Sequence, residues 1–209
     1  EITEENETLR TVVLPICSRM RTSRTRRSAS RHRPEPTCSK AEVQTIHTKL
    51  GVVSLGCDKN TVDSERIVAA LAGYGAEAVR DLSEADVIIV NTCGFIDAAK
   101  QESVDTLLEV SRLKQEGRCS AVVALGCLVE QYRDELAPSL PEIDLFVGLR
   151  DAGRLIPDLR ERGLLGNPIP DHPGVRVPLT DRRHVRYLKV SEGCDHGCAF
   201  CAIPLWRGK

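Results

Sequence analysis

The feature that most constrains the fold of this chain is a repeated alternation. Three short apolar runs each end in cysteine: "VVSLGC" at Cys57, "DVIIVNTC" at Cys93 and "AVVALGC" at Cys127. Such runs predict buried strands, and the amphipathic stretches that follow them predict helices. Strands that alternate with helices pair in parallel through right-handed crossovers. The sequence therefore predicts an α/β fold with an open parallel sheet flanked by helices.

The same periodicity sets the limits of this domain. Apolar residues recur at helical spacing in "VDSERIVAALAGYG" and in the stretch from Ala98 to Gly117, and "VEQYRDELAP" follows as a third helix. We predict a fourth strand at Asp144–Gly148 and a further helix around Ala152–Arg162. The α/β domain is accordingly expected to span residues 49–162.

The flanking segments have a different character. Seven arginines lie between Arg19 and Thr37 without strand or helix periodicity, which predicts a disordered basic leader over residues 1–48. A nucleic-acid-binding arm and an organellar targeting peptide are alternatives, although the acidic start "EITEENE" argues against targeting. Residues 163–184 are predicted to form a proline-rich linker. Residues 185–209 then begin a second domain with a strand at Val185–Cys194.

Overall charge and hydropathy restrict the cellular compartment and the partners expected for this protein. The 209 residues carry a formal net charge of -1, which gives no global electrostatic case for binding nucleic acid or a membrane. No apolar run approaches the roughly 20 residues that span a bilayer, and no secretory signal is evident. We therefore expect a cytoplasmic protein. Its nine cysteines then indicate metal or redox chemistry rather than disulfides.

The three cysteines at the predicted strand ends form the first candidate site. Parallel strands bring their carboxyl ends to one edge of the sheet, where open α/β folds bind ligands. We expect Cys57, Cys93 and Cys127 to converge there. Core packing is the alternative, because free cysteine is often buried, but it does not explain cysteine at three equivalent positions. The remaining cysteines outside the terminal loop, Cys17, Cys38 and Cys119, are assigned no role.

A second candidate site lies in the loop "GCDHGCAFC", where Cys194, Cys198 and Cys201 form a C-x3-C-x2-C pattern. Structural zinc normally has four ligands, and ferredoxin-type clusters use a fourth cysteine, which this stretch lacks. Three thiolates fit an iron–sulfur cluster whose open iron binds a substrate or cofactor. A reduced loop without metal is the alternative. Phe200 is expected to cover the cluster from water.

These motifs resemble a known family. The loop is similar to the cluster motif of radical S-adenosylmethionine (SAM) enzymes. The resemblance to the radical SAM methylthiotransferases is carried by four stretches: "SLGCDKNTVDSE", "NTCGFIDAAKQESVDT", "GCLVEQY" and "YLKVSEGCDHGCAFCAIPLWRGK". It covers about Leu50 to Lys209 and leaves out the leader.

Two short stretches distinguish the branches of this family. Lys59-Asn60 and Gly94-Phe95-Ile96 favour the RimO branch, which modifies an aspartate of small-subunit ribosomal protein S-12. The MiaB branch, which modifies adenosine in transfer RNA, is the alternative. Family members continue through a SAM-binding barrel and a TRAM domain. We therefore expect this chain to be an amino-terminal fragment that ends after the first strand and cluster loop of the barrel, and to be inactive alone.

The resemblance also implies cofactors, partners and roles. Cys194, Cys198 and Cys201 would hold the 4Fe-4S cluster that binds and cleaves SAM, and the resulting radical would remove hydrogen from the β-carbon of the target aspartate. Cys57, Cys93 and Cys127 would hold an auxiliary 4Fe-4S cluster that presents the methylthio group. The implied partners are ribosomal protein S-12 on the ribosome and an electron donor such as flavodoxin or ferredoxin. We expect a monomeric transferase without a membrane partner. A non-catalytic iron–sulfur or zinc-binding module is the alternative from another class.

Overall fold

The computed structural model describes residues 47–117, 119–174, 176–179 and 184–209. The predicted leader over residues 1–48 lies outside the described residues except for His47 and Thr48, and Thr48 already opens the first strand. The first described strand therefore begins close to the first apolar run of the sequence.

The centre of the domain is a sheet of five parallel strands in the order β2-β1-β3-β4-β5. The strands are β1 (Thr48–Ser54), β2 (Ala76–Ala78), β3 (Val87–Thr92), β4 (Ala121–Gly126) and β5 (Leu145–Val147). An α-helix follows each of β1, β3 and β4, whereas a 3-10 turn at Leu82–Glu84 lies between β2 and β3. Parallel strands cannot be joined by a tight hairpin, so the chain crosses over between them. The prediction of an open parallel α/β sheet is confirmed.

Five α-helices lie among the described residues: α1 (Asp58–Ala72), α2 (Asp97–Gln115), α3 (Cys127–Ser139), α4 (Leu155–Glu161) and α5 (Ile203–Arg207). Helices α1, α2 and α3 follow strands β1, β3 and β4, as the sequence predicts. A cysteine lies just after the end of each of these strands. Helix α3 breaks at Tyr132, which has non-helical backbone angles, and contains Pro138 in its last turn. A 3-10 turn at Ala152–Arg154 leads into α4, so the helix predicted there is also present.

Both faces of the sheet are buried, and strand β3 shows why. Val87 and Ile89 pack into one apolar cluster, while Ile88 and Val90 pack into the other on the opposite face. Successive side chains of a strand point to opposite faces, so a continuous apolar run serves both layers of helices. This rigid core is the platform from which the strand ends project.

The predicted linker contributes to this core. Leu165 and Leu179 are buried in the apolar cluster on the α1 side of the sheet. Glu65 of α1, almost fully buried, pairs with Arg176 and accepts a hydrogen bond from the Leu179 backbone nitrogen at 3.0 Å. The described part of the linker is therefore attached along α1.

The structure differs from the sequence prediction in three places. Strand β2 was not predicted, because three residues after Gly75 are too few to show alternation. The short helix α5 was not predicted either. The strand expected at Val185–Cys194 forms no β-pairing among the described residues, and its Leu188 and Val190 side chains are exposed. A strand without a neighbour has no hydrogen-bonded ladder to define it.

None of the helices in the described residues combines the length and the apolar character needed to cross a bilayer.

Candidate metal centre

The strand order places a crevice at the carboxyl edge of the sheet. The order reverses between β1 and β3, since β2 lies on one side of β1 and β4 lies beyond β3. Open α/β sheets bind ligands at such a point, outside the carboxyl ends of the strands. The pairing continues past the end of β1, where the Leu55 nitrogen donates to the Asn91 oxygen at 3.0 Å. This crevice is where the first cysteine triad lies.

The register of the strands brings the three cysteines to neighbouring positions. Thr92 pairs with Gly126, so Cys93 and Cys127, which directly follow these residues, leave the sheet side by side. Cys57 is the N-cap residue of α1, and Cys127 is the first residue of α3. The amino-terminal end of a helix carries partial positive charge and unpaired N–H groups, which favour anionic thiolates.

All three thiols line one cavity of about 780 Å³. Cys93 and Cys127 are buried, whereas Cys57 is exposed. Apolar side chains of Phe95, Ile96, Ala98, Ala99, Ile203 and Trp206 contribute to its wall. The structure therefore places the three cysteines of the first triad around one cavity. Their role as cluster ligands stays a prediction.

Two glycines permit this close approach. A Cβ atom on Gly56 would lie 2.5 Å from the Cβ and 2.6 Å from the sulfur of Cys93. A Cβ atom on Gly126, whose φ is +111°, would lie 2.4 Å from the Thr92 oxygen. Real Cβ contacts do not come this close, and a positive φ disfavours residues with a side chain. The "GC" pairs of the sequence thus reflect crowding around the triad.

Hydrogen bonds fix the backbone that carries the thiols. The Asn60 amide nitrogen donates to the Leu55 oxygen at 2.8 Å and to the Thr92 oxygen at 3.1 Å. On the other side, the Ser103 hydroxyl accepts from the Cys93 nitrogen and donates to the Cys93 oxygen, both at 3.0 Å. Buried polar groups rigidify a site when they are satisfied in this way.

Burial and neighbouring charged groups act on the pKa of the Cys127 thiol in opposite directions. Burial raises the pKa of the Cys127 thiol, and the neighbouring Cys93 and Cys57 raise it further. The Arg207 guanidinium, whose Nη2 lies 3.5 Å from the Cys127 sulfur, acts in the opposite direction and lowers that pKa. If a metal group were held by the three thiolates, the Arg207 guanidinium would lie beside it as a fixed positive charge.

The arrangement does not fit a single metal ion. In the part of the chain that the structure describes, no three His, Cys, Asp or Glu side chains converge on the position of one ion. A structural zinc ion requires four ligands at close range. A cube-shaped four-iron cluster spreads its cysteine ligands over separate corners and fills the space between them. The soft thiol donors, the roomy cavity and the nearby cation fit such a cluster.

The second triad is arranged differently. Cys194 and Cys201 are half-buried, Cys198 is exposed, and none of them lines the 780 Å³ cavity. The loop is shaped by backbone hydrogen bonds from the Cys194 nitrogen to the Gly208 oxygen and from the Cys201 nitrogen to the Cys198 oxygen, both at 3.1 Å. These thiols fit a cluster by their donor chemistry.

Phe200 does not have the covering position expected from the sequence. Its side chain is 93% exposed. At the other triad, Trp206 lies in the apolar wall of the cavity, and its ring meets the Phe95 ring edge-on at 5.5 Å between centroids.

Sequence reasoning missed two residues of the site. The sequence motifs identify Asn60 only as a branch marker and Arg207 only as part of a motif, yet both side chains lie buried beside the first triad. A buried cation in a five-residue helix has no periodic signal. The only available signal was the quoted motifs that contain the two residues.

The chain is similar to one protein family and to curated proteins from several organisms. Residues 49–148 match the uncharacterized protein family UPF0004. The chain is 46% identical over 169 residues to the ribosomal protein uS12 methylthiotransferase RimO of Anaeromyxobacter sp. (strain Fw109-5), which covers 77% of this chain and 35% of that protein. It is 44% identical to the RimO proteins of Chloroherpeton thalassium over 167 residues and Symbiobacterium thermophilum over 185 residues, covering 80% and 85% of this chain.

These matches cover 37% and 38% of the latter two proteins, so the chain spans little more than a third of the length of its curated relatives. The cysteine-bearing parallel domain and the sequence matches together define the class: the chain belongs to the methylthiotransferase family that includes RimO and MiaB. Within that family, it belongs to the RimO branch.

Proposed function

We propose that this chain is part of a transferase that adds a methylthio group to the β-carbon of an aspartate in small-subunit ribosomal protein uS12. The observation that carries the proposal is the convergence of Cys57, Cys93 and Cys127 on one cavity at the carboxyl edge of the sheet. The similarity to RimO proteins at 44–46% identity supports the same reaction. The activity belongs to the whole protein rather than to the 209-residue chain alone.

Cys57, Cys93 and Cys127 would hold an auxiliary 4Fe-4S cluster. Their backbone is fixed by a buried sheet, which positions ligands better than a flexible loop. Cys194, Cys198 and Cys201 would hold the 4Fe-4S cluster that binds SAM. When bound, the two clusters and SAM would supply the electron transfer, the radical and the sulfur, since the difficult chemistry belongs to the cofactors.

The residues of this chain then bind, orient and shield. Asn60 and Ser103 hold the strand ends that carry the thiols. Phe95 and Trp206 form an apolar wall that limits the access of water to the first triad. Excluding water protects reactive intermediates and strengthens electrostatic interactions within the site.

The partners follow from this function. The proposal requires ribosomal protein uS12 as substrate and a low-potential electron donor such as flavodoxin or ferredoxin. We further propose that the protein acts as a monomer in the cytoplasm.

The experiment uses a host from which the full-length gene has been deleted. The gene is returned either unchanged, with Cys57→Ala, or with Cys119→Ala as a matched control. Cys119 is buried at the opposite end of β4 and takes no part in the site. We expect mass spectrometry to find the added methylthio group on uS12 with the unchanged gene and the control, and to find none with Cys57→Ala. Unmodified uS12 with methylthioadenosine in transfer RNA would contradict the proposal and favour the MiaB reaction.

A further inference from the structure

We propose that Arg207 is a positioning residue that joins the two cysteine triads. It holds the segment carrying the second triad on the edge of the sheet, and it donates a hydrogen bond to the sulfur of Cys127. The effect on a cluster at Cys127 rests on the proposed function, whereas the holding of the segment does not.

The guanidinium of Arg207 reaches both triads from a buried position. Its side chain is only 5% exposed although it lies near the end of the described chain. Nη2 donates to the Asn60 Oδ1 at 2.7 Å and lies 3.5 Å from the Cys127 sulfur. Nη1 donates to Glu192 at 2.7 Å and to Asp63 at 3.1 Å. Buried charges are retained when they are paired and hydrogen-bonded, and these partners satisfy that condition.

Through Asn60, the guanidinium is connected to the first triad. Asn60 donates to the oxygen of Leu55, two residues before Cys57, and to the oxygen of Thr92, directly before Cys93. Arg207 therefore bonds to the side chain that fixes two of the strand ends, and contacts the third cysteine itself.

Through Glu192, the guanidinium is connected to the second triad. Glu192 lies two residues before Cys194, and the Cys194 nitrogen donates to the oxygen of Gly208, the neighbour of Arg207. Gly193 packs so closely there that a Cβ atom would lie 1.8 Å from the Gly208 oxygen. The two ends of the loop are thus closed directly beside the guanidinium.

Lys189 offers a matched comparison. It pairs with the same two carboxylates, Asp63 and Glu192, and its side chain is 8% exposed. It shows no contact with Asn60 or Cys127 among the bonds of the described residues. Replacing either cation removes one positive charge from the network, but only Arg207→Met removes the bonds to the first triad.

The planar fork of arginine suits this role. It presents several donors in fixed directions, whereas lysine presents a single ammonium point charge. Hydrogen bonds to ligand sulfurs and nearby positive charge both raise the reduction potential of an iron–sulfur cluster, because they stabilise the more negative reduced state.

The first arm of the test uses the metal-free 209-residue chain. Hydrogen exchange at the Cys194 amide reports whether the loop stays closed against Gly208. We expect Arg207→Met to accelerate this exchange at least about tenfold, corresponding to about 1.4 kcal/mol of lost protection, and more than Lys189→Met does. Exchange as slow as in the parent chain would overturn the proposal, whether or not the chain binds iron.

The second arm uses a chain with Cys194, Cys198 and Cys201 changed to Ala, reconstituted with iron and sulfide so that only the first triad can bind a cluster. We expect Arg207→Met to shift the midpoint potential to a more negative value than Lys189→Met does, and Arg207→Lys to restore part of the shift. Equal midpoint potentials in Arg207→Met and Lys189→Met would contradict the proposal that the hydrogen bond to Cys127 acts on the cluster. A parent chain that takes up no iron would contradict the proposed function instead, and hydrogen exchange alone would then decide the role of Arg207.

Discussion

The side-chain nitrogen of Asn60 lies 3.1 Å from the carbonyl oxygen of Thr92, and this bond ties the first turn of α1 to the end of β3. Helix α1 begins directly after Cys57, and Cys93 directly follows Thr92. One buried amide thus fixes the relative position of two thiols that are 36 residues apart in the sequence. The geometry of the first triad depends on it.

Asn60→Ala is expected to lower the free energy of unfolding by about 1–3 kcal/mol, because it leaves buried carbonyl groups without their donor. The same variant should bind less iron at the first triad. Urea denaturation monitored by circular dichroism measures the first effect. Asn167→Ala is the control, since Asn167 is exposed and its hydrogen bond to another described residue is a 3.3 Å contact with Arg160. Equal stabilities of the two variants would contradict this role.

Gly126→Ala is expected to prevent cluster binding at the first triad, because the new methyl group would collide with the Thr92 backbone at 2.4 Å. The backbone must move, and Cys127 moves with it. Gly117→Ala is the control, since Gly117 also has a positive φ, of +113°, but its Cβ would meet nothing within 4 Å. Iron content after anaerobic reconstitution should remain near the parent value in the control and fall in Gly126→Ala. A full iron content in both variants would show that the close approach of Gly126 to the Thr92 backbone is not needed for cluster binding.

Glu65→Gln is expected to destabilise the chain by about 1–3 kcal/mol, because it leaves the partly buried Arg176 charge without its carboxylate. The described part of the linker should detach from α1. Glu84→Gln removes the partner of an exposed pair, Lys49–Glu84 at 3.3 Å, and should change stability by less than about 0.5 kcal/mol. Thermal unfolding measures the stability of both variants. A loss of stability in Glu65→Gln no larger than in Glu84→Gln would contradict the prediction.

Cys119 is expected to react with iodoacetamide at least about tenfold more slowly than Cys198 in the metal-free chain. Burial raises the pKa of the Cys119 thiol, and only the thiolate is nucleophilic. Cys198 is exposed in its loop. Peptide mass spectrometry at successive times gives both rates. Comparable rates would show that the start of β4 opens more readily than its packing indicates.

The sequence was sufficient to predict the sheet and the convergence of the first triad, for a physical reason. Apolar runs that end in cysteine define strands, and parallel pairing brings like ends together without any knowledge of side-chain contacts. Register then follows, as the pairing of Thr92 with Gly126 shows.

The parts that the sequence could not predict depend on long-range packing. Trp206 lies in the wall of the first triad's cavity, which the sequence does not predict because the packing of α5 against the sheet edge has no local signature. Phe200, which was expected to cover the cluster of the second triad, is exposed. The strand predicted at Val185–Cys194 has the right residue types but no pairing partner among the described residues. Arg207 is likewise recognised as part of the site only from its contacts across the fold.

The most direct test of the account is a count of iron and sulfide in the anaerobically reconstituted chain beside two variants, one with Cys57, Cys93 and Cys127 changed to Ala and one with Cys194, Cys198 and Cys201 changed to Ala. We predict about eight irons in the parent chain and about four in each variant, because the proposed function assigns one four-iron cluster to each triad. A parent chain without iron, or with zinc in place of iron, would contradict the two-cluster account.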